Sequence, residues 1–333
     1  MSHGFLLDLV ERVGAVARFD TVSVPMPDLD PEGAHRTVAA WCTRTGNELV
    51  EITDGTVVVR RGPRVNHLAE LDPAQVPGTR LWLYTNFDCN LACDYCCARS
   101  SPQADRNGLG LDRIRRLAAE AIGAGVGELI LTGGEPFLLP DIEQVVHACT
   151  VHLPTTLLTN GMLFRGRRLD VLRRMDRARL ALQISLDSAT ADLHDRHRGR
   201  GSWAKALSGI QIALTEGFRV RVAATLSPAR IRELEPFHQF LDGLGIKPDD
   251  QLIRALAHRG FATHGMELTR ASLIPEVTVT ADGVYWHPVS AGHDDHLVRK
   301  EIFPLDGAID EVRRQFVRLR SDTNSAAQWF PCA

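Results

Sequence analysis

Four of the seven cysteines in the 333-residue chain lie within nine consecutive positions, in the segment TNFDCNLACDYCCARSS. Cys89, Cys93 and Cys96 place three thiol groups on one short loop, within reach of a single centre. Soft sulfur ligands suit zinc and iron–sulfur clusters. Structural zinc usually takes four protein ligands in two separated pairs, and no second C-x-x-C follows here. The spacing therefore favours a cluster with one open coordination position, whereas Cys97, next to Cys96, is expected to pack and not to ligate.

The composition is that of a globular chain without a strong charge. It has 38 Lys and Arg against 41 Asp and Glu, a net charge of −3, and 44% hydrophobic residues. This balance predicts no basic surface for nucleic acid, and no apolar run approaches the roughly 20 residues of a membrane-spanning helix. An odd number of cysteines in so long a chain argues against a secreted disulfide framework. We therefore expect a cytoplasmic protein that binds neither nucleic acid nor membrane.

Apolar strands alternate with helices from residue 80 onward. The strand candidates are LWLYTNF, ELILTGG, TTLLTNG, ALQISLD, RVRVAATLS and QLIRALA, and the helices between them are 111–124, 140–151, 167–175, 204–216 and 229–243. This alternation predicts right-handed βαβ units and a parallel sheet that forms a full or partial barrel. In such folds ligands bind at the carboxyl ends of the strands. The cysteines, GGEP (133–136), Asn160 and SLD (185–187) follow four of these strands and should meet at one mouth.

The cysteine segment resembles the CxxxCxφC motif of the radical S-adenosylmethionine (SAM) superfamily, with Tyr95 as the aromatic residue. GGEP after the second strand, SLD at the end of the fourth and HDRHRG (194–199) after it resemble further motifs of that family. The resemblance covers roughly residues 80–260. It implies a [4Fe–4S] cluster held by Cys89, Cys93 and Cys96, with SAM bound at the fourth iron. It also implies that reduction releases a 5′-deoxyadenosyl radical, which abstracts a hydrogen from the substrate.

The same resemblance implies a set of SAM-binding residues around the cluster. Backbone groups of GGEP would contact the methionyl ammonium, and SLD would meet the ribose and the methionyl part. Arg198 would pair with the SAM carboxylate through its planar guanidinium. No catalytic side chain is assigned from the sequence. The predicted SAM-binding residues are Tyr95, Gly133, Gly134, Glu135, Pro136, Asn160, Ser185, Asp187 and Arg198.

Residues 1–64 predict a separate small α+β domain, followed by a linker at 65–79. The unit contains helical spacing in 5–13, a strand in TVSVPMPD, a helix over 31–46 and a hairpin at Asp54–Gly55. It resembles the later part of TusA/SirA-like sulfur-relay domains. No Cys-Pro occurs in residues 1–41, where those domains carry their sulfur, and Cys42 matches a structural helix position. We therefore expect a module that docks a protein partner or a peptide leader.

Residues 271–333 resemble the SPASM and Twitch extensions of radical SAM enzymes, where a hairpin usually contributes a cysteine to an auxiliary cluster. His287 stands near that position and only Cys332 lies beyond it, so the auxiliary cysteine set is incomplete. His287, His293, His296 and Cys332 could bind a metal, but a lid over the substrate is the favoured role. The predicted fold is a partial (β/α)6 radical SAM barrel at 80–270, with the small N-terminal domain and a C-terminal hairpin–helix extension.

The predicted function is radical SAM catalysis on a small metabolite or a peptide in a biosynthetic pathway, with flavodoxin or ferredoxin as electron donor. Two alternatives stay open. One is a radical SAM enzyme that inserts sulfur, with the N-terminal domain docking a sulfur donor. The other is a zinc-binding scaffold without redox chemistry, which would use the same three cysteines but would have no need of the motifs at the other strand ends.

Overall fold

The computed structural model describes residues 3–26, 31–53, 55–62, 68–69, 71–227 and 233–325. Its contacts divide the chain into two compact units. One unit comprises Met1–Asp72 with Arg314–Ala333, and the other comprises Pro73–Arg313. The domain boundaries predicted after residues 64, 79 and 270 stay predictions.

The N-terminal unit contains two helices and an antiparallel sheet of three strands in the order β1-β3-β2. Phe5, Leu9 and Val13 repeat every four residues along the first helix, so they share one face and are buried together. Cys42 lies in the same core, in agreement with a structural role. Asp54, the first residue of the predicted turn, lies outside the described residues. The elements are α1 (His3–Ala15), β1 (Thr21–Pro25), α2 (Pro31–Thr45), β2 (Glu48–Thr53) and β3 (Thr56–Arg60).

The second unit is built on a sheet of nine strands, six of which lie side by side in chain order and pair in parallel with their neighbours. This confirms the predicted parallel core. In the described parts of the chain its two outermost strands do not pair with each other, so the sheet forms a partial and not a closed barrel. The six strands are β4 (Arg80–Tyr84), β5 (Glu128–Thr132), β6 (Thr155–Thr159), β7 (Leu180–Ser185), β8 (Arg219–Leu226) and β9 (Gln251–Ala255).

Helices separate these strands, as the alternating pattern predicts. They are α3 (Leu111–Gly123), α4 (Ile142–Thr150), α5 (Arg167–Arg174), α6 (Ala191–Arg198), α7 (Ser202–Thr215) and α8 (Leu234–Gly243). Helix α6 was not predicted. Its sequence, ADLHDRHR, has no apolar stripe, so periodicity could not reveal it. No helix among the described residues is long and apolar enough to cross a membrane.

The C-terminal hairpin is part of the same sheet. Strand β10 (Thr278–Thr280) pairs in parallel with β4, and β11 (Gly283–Tyr285) and β12 (Leu297–Arg299) continue the sheet outward in antiparallel pairs. The predicted hairpin turn at 281–283 is confirmed, but the sequence did not predict that its strands extend the core sheet. Helix α9 (Leu305–Ser325) follows. Cys332 lies outside the described residues.

Candidate functional site

A cavity of about 230 Å³ lies at the carboxyl ends of β4 to β9. Each of the six parallel strands contributes to its wall, through the strand end or the loop that follows, which is the arrangement expected for a ligand site in this fold class. Glu135, Pro136 and Asp187 are buried and do not line it. Nine of the predicted site residues do: Cys89, Cys93, Tyr95, Cys96, Gly133, Gly134, Asn160, Ser185 and Arg198.

The loop after β4 is held in shape by its own backbone. Cys89 N donates to Ser101 O (3.1 Å) and Cys96 N donates to Cys93 O (3.2 Å). Two backbone N–H groups point at sulfur: Leu91 N lies 3.4 Å from Cys89 Sγ, and Ser100 N lies 3.4 Å from Cys96 Sγ. Donors in these positions favour the thiolate over the thiol, which is the form that binds metal.

Burial opposes ionisation of these thiols. It raises the pKa of Cys89 to about 12, against the donor from Leu91, and raises the pKa of Cys93 to about 11, against the attraction of the Arg198 charge. Without a metal the two groups are therefore thiols at neutral pH. A cationic cluster compensates the thiolate charge, so its binding must release protons. Cys97 also lines the cavity, and burial raises its pKa to about 12.

The loop after β5 is packed directly against the cysteine loop. Gly134 N donates to Asn86 O (2.9 Å) and Glu135 N donates to Asp88 O (3.0 Å). A Cβ at Gly134 would lie 2.1 Å from Asp88 O, so only glycine fits this approach. An ammonium can only donate, so the backbone groups of this segment that could bind one are its carbonyl oxygens.

Glu135 joins the ends of β5 and β6. Its buried carboxylate accepts from Phe137 N (3.0 Å), from Thr159 Oγ1 (2.8 and 3.0 Å) and from Asn160 N (2.8 Å). Burial raises its pKa, although these donors and the Arg168 charge oppose the shift. Its hydrogen bonds thus tie neighbouring strand ends together. That Glu135 and Pro136 contact SAM remains a prediction.

Asp187 and Arg198 form a buried ion pair on the wall of the cavity. Arg198 donates from Nε to Oδ2 (2.6 Å) and from Nη2 to Oδ1 (3.1 Å), while Tyr95 OH and Thr225 N (3.0 Å) also donate to the carboxylate. These four donors match the four lone-pair sites of a carboxylate. Asp187 therefore orients Arg198 and Tyr95 beside the cavity. The predicted contacts of Asp187 and Arg198 with SAM stay predictions.

Helix α6 brings HDRHRG to this pair. His194 Nδ1 accepts from Asp187 N (3.2 Å), and Asp94 N donates to His197 O (3.1 Å), so the helix contacts both the end of β7 and the cysteine loop. Asp195 accepts from Gly201 N (2.5 Å) and from Trp203 N (2.8 Å) at the start of α7. The carboxylate of Asp195, which lies within α6, thus caps the N-terminus of α7. Arg198 is the member of the motif that lines the cavity.

The three predicted histidines have separate surroundings. His287 Nδ1 accepts from Val289 N (3.2 Å), His293 Nε2 lies 3.4 Å from Cys97 O, and His296 is buried near Arg259. Among the described residues, no three or more His, Cys, Asp or Glu side chains are placed to hold a single metal ion. That includes the three cysteines, but in a [4Fe–4S] cluster each cysteine binds a different iron, so the sulfurs need not converge on one point.

Sequence reasoning missed two residues at this site. Asn86 is buried, and its Nδ2 donates to Asp88 O (2.8 Å) and Glu135 O (3.2 Å), so it connects the two loops. Arg254, near the end of β9, lines the cavity. Asn86 could have been found because, like Asn160, it directly follows a buried strand. Arg254 could have been found because it is a charged residue in the otherwise apolar QLIRALA.

The segment after β9 contacts the cysteine loop that follows β4. Phe261 N donates to Cys96 O (3.1 Å), and Arg99 Nε donates to Gly260 O (3.3 Å). A Cβ at Gly260 would lie 2.1 Å from Cys96 O. The loops after the first and the last parallel strand are therefore in backbone contact, although these two strands do not pair.

The fold and the site define a class: a parallel α/β protein that presents three cysteines and a glycine-bordered ligand cavity at its strand ends. The sequence profile of the radical SAM superfamily matches residues 83–240. This part of the chain thus matches the superfamily whose cofactors are a [4Fe–4S] cluster and SAM. The residues present fit these groups, because three soft thiols and the two glycines after β5 border one cavity.

Several curated proteins are similar over the same part of the chain. The antilisterial bacteriocin subtilosin biosynthesis protein AlbA of Bacillus subtilis is 32% identical over 48% of this chain and 36% of its own length. An AdoMet-dependent heme synthase of Methanosarcina barkeri is 30% identical, over 47% and 45%. PqqA peptide cyclase of Ruegeria pomeroyi is 29% identical, over 56% and 48%. The chain thus spans less than half of each of these three relatives.

The solved structure of native anSMEcpe with bound AdoMet has a similar fold. It superposes with a TM-score of 0.56 at 13% identity, covering 72% of this chain and 83% of that chain. At this identity the similarity concerns the fold alone.

Proposed function

We propose that this protein is a radical SAM enzyme that abstracts a hydrogen atom from a biosynthetic substrate. The observation that carries the proposal is the cavity bordered by Cys89, Cys93 and Cys96 on one side and by the Gly133–Gly134 segment on the other. Thiols alone would suit several metals. Their combination with a glycine-lined ligand site at the ends of parallel strands favours a cluster that binds a small co-substrate.

When bound and reduced, a [4Fe–4S] cluster with SAM supplies methionine and a 5′-deoxyadenosyl radical by cleaving a carbon–sulfur bond. The residues of the chain hold the cluster, orient SAM and shield the reactive centre from water. Cys89, Cys93 and Cys96 hold the cluster, and the carbonyl groups beside Gly134 accept from the SAM ammonium. Arg198, kept in place by Asp187, presents its remaining N–H groups to the SAM carboxylate. The buried walls limit access of water to the reactive centre.

A peptide is the first substrate class to test, with a small metabolite as the second. Relatives named for bacteriocin biosynthesis and for peptide cyclisation support the peptide, while a relative named as a heme synthase supports the metabolite. A docking role for the N-terminal domain would also suit a peptide or a protein partner. Flavodoxin or ferredoxin is the proposed electron donor.

Anaerobic reconstitution tests the proposal. The full chain should turn brown, bind about four irons and, after reduction with dithionite, convert SAM to 5′-deoxyadenosine and methionine. Candidate substrates labelled with deuterium should then transfer the label to 5′-deoxyadenosine. A colourless protein that takes up zinc and leaves SAM intact would contradict the proposal and favour the scaffold alternative.

A further inference from the structure

Arg254 differs from the other arginines around the barrel interior, because its guanidinium has no partner among the residues that the structure describes. Its side chain is open to the cavity that the cysteines border. Its backbone belongs to the ladder between β8 and β9, but within the described parts of the chain the guanidinium makes no hydrogen bond or ion pair. The titratable groups that act most strongly on the charge of Arg254 are Cys97, Glu276, Arg221 and Tyr84, and His287 also interacts with it.

Those neighbours leave Arg254 without a counter-charge. Both carboxylate oxygens of Glu276 are engaged, Oε1 by Arg80 Nη2 (2.8 Å) and Oε2 by Trp82 Nε1. Tyr84 OH donates to Pro288 O (2.7 Å), and burial raises the pKa of Tyr84, so this residue supplies no negative charge at neutral pH.

Three nearby arginines, in contrast to Arg254, each lie beside a carboxylate. Arg80 pairs with Glu276, Arg198 pairs with Asp187, and Arg221 Nε lies 3.7 Å from Asp250 Oδ1. Partial desolvation by the surrounding protein lowers the pKa of Arg254, in spite of the attraction of Cys97 and Glu276, while the residue keeps an exposed surface toward the cavity. A desolvated guanidinium is stabilised most by an oxyanion that accepts two parallel N–H bonds.

The position of Arg254 separates it from the predicted SAM carboxylate site. That site is at Arg198, which Asp187 holds at the end of β7. Arg254 lies two strands further along the sheet, on β9, with its charge close to Cys97 and to Tyr84 of β4. The cation therefore faces the part of the cavity next to the C-terminal hairpin, where Val289 also forms the wall.

We propose that Arg254 binds a carboxylate of the substrate and so sets which carbon faces the cluster. The inference rests on the proposed function and adds a substrate class to it: a molecule or peptide residue with a carboxylate near the reacting C–H bond. A single guanidinium fits a carboxylate better than a phosphate dianion, because Arg221 already faces Asp250 and Arg198 is already paired with Asp187.

Small dicarboxylate binding tests the inference without knowledge of the natural substrate. The reconstituted full chain is first saturated with SAM, so that the SAM carboxylate fills its own site. Glutarate is then titrated and followed by ligand-observed NMR, with glutaramide as the uncharged probe of the same shape and inorganic phosphate as the second anion. The variants are Arg254→Gln, Arg254→Lys and, as control, Arg106→Gln, an exposed arginine that lines a different cavity.

Glutarate should bind the SAM-loaded protein more tightly than either glutaramide or phosphate. Arg254→Gln should weaken glutarate at least about tenfold, as expected for loss of a charged hydrogen-bond pair, and Arg254→Lys should retain part of the affinity. Arg106→Gln should bind glutarate like the wild type. The SAM affinity of the unreduced Arg254→Gln protein should stay within about threefold of wild type, since SAM is held elsewhere.

Three results would overturn the inference. If glutarate binds equally well to the Arg254→Gln protein, Arg254 is not a carboxylate site. If the wild-type protein prefers phosphate to glutarate, the site binds a different class of anion from the one proposed. A SAM affinity that falls about tenfold or more in Arg254→Gln would make Arg254 part of the SAM site. Each of these is distinct from failure of the proposed function, in which the wild-type protein itself would not cleave SAM.

Discussion

Asp187 and Arg198 form a two-pronged ion pair in which Oδ2 lies 2.6 Å from Nε and Oδ1 lies 3.1 Å from Nη2. Burial by itself would raise the pKa of Asp187, but the charge of Arg198 and the donors from Arg198, Tyr95 and Thr225 outweigh it and lower the pKa. The carboxylate is thus ionised at neutral pH and saturated with donors. It fixes the aromatic residue of the cysteine motif and the arginine of α6 in one arrangement.

Asp187→Asn should disrupt this arrangement strongly. The amide cannot accept from all four donors, and it leaves the Arg198 charge buried without a counter-ion. Loss of one partner of a buried pair costs about 3–5 kcal/mol, so urea unfolding of the full chain should show a large loss, together with weaker SAM binding. Asp94→Asn is the matched control, because Asp94 pairs with His197 at an exposed position and should cost less than about 1 kcal/mol. Equal losses in the two variants would contradict the role given to Asp187.

Gly134→Ala should lower both stability and iron content. The added Cβ would meet Asp88 O at 2.1 Å, and neither backbone can retreat without breaking the bonds of Gly134 N and Glu135 N. We expect a loss of about 1–3 kcal/mol and reduced cluster loading, measured by thermal unfolding and iron analysis. Gly123→Ala is the control at the end of α3, where a Cβ meets nothing within 4 Å. Normal iron content in Gly134→Ala would show that the loop contact is not needed to hold the cluster.

Cys93→Ala should abolish both cluster assembly and SAM cleavage. Cys97→Ala and Cys42→Ala should retain them, because Cys97 follows a ligand and Cys42 is buried in the core of the N-terminal unit. Iron analysis and 5′-deoxyadenosine formation check the three variants in parallel. Loss of the cluster in Cys97→Ala would mean that the ligand assignment of Cys96 and Cys97 is wrong.

Stability should fall in mild acid because two histidines of the C-terminal segment are held neutral. Burial lowers the pKa of His287 from 6.5 to about 3 and of His296 to about 4, with Arg254 opposing the charged form of His287 and Asp295 favouring that of His296. Unfolded histidine binds its proton near pH 6.5, so between that value and the lowered pKa the unfolded state holds more protons. The contribution of the two neutral histidines to the free energy of unfolding is therefore complete above about pH 6.5 and is lost as the pH falls toward 3.

For His287 alone the loss between pH 6.5 and pH 4.5 should be about 2–3 kcal/mol. His287→Gln should flatten the pH dependence of the free energy of unfolding by about that amount. His147→Gln, at an exposed position on α4, should leave the slope unchanged. An unchanged slope in His287→Gln would show that this residue is not the buried neutral group.

The sequence predicted the parts of the structure that depend on local pattern. The six parallel strands were found because their apolar runs are short and flanked by turn residues, although several were predicted about two residues too long. LWLYTNF ends as a strand at Tyr84, since Asn86 turns its side chain to the neighbouring loops. The cysteine trio was found because its spacing is itself the chemical signal.

Long-range pairing could not be found in the same way. Nothing in the sequence near Thr278 indicates that it pairs with Trp82 of β4, because each strand is locally compatible with several neighbours. The partner of Arg198 was missed for a similar reason: Asp187 looked like a ligand-binding residue at a strand end, and only the placement of α6 shows that its oxygens are occupied. For Arg254 the sequence offers a signal, a charge in an otherwise apolar strand, but only the structure shows that Glu276 beside it is engaged by Arg80 and Trp82.

The bond from Phe261 N to Cys96 O has a consequence for the order of events during biosynthesis. The ribosome makes the cysteine loop long before it makes the segment that closes against it, and contacts between distant residues form late in folding. Metal delivery should therefore follow release of the whole core and should not accompany translation of the motif. Nascent chains stalled before residue 255 should take up little iron even though all three ligands have already left the ribosome.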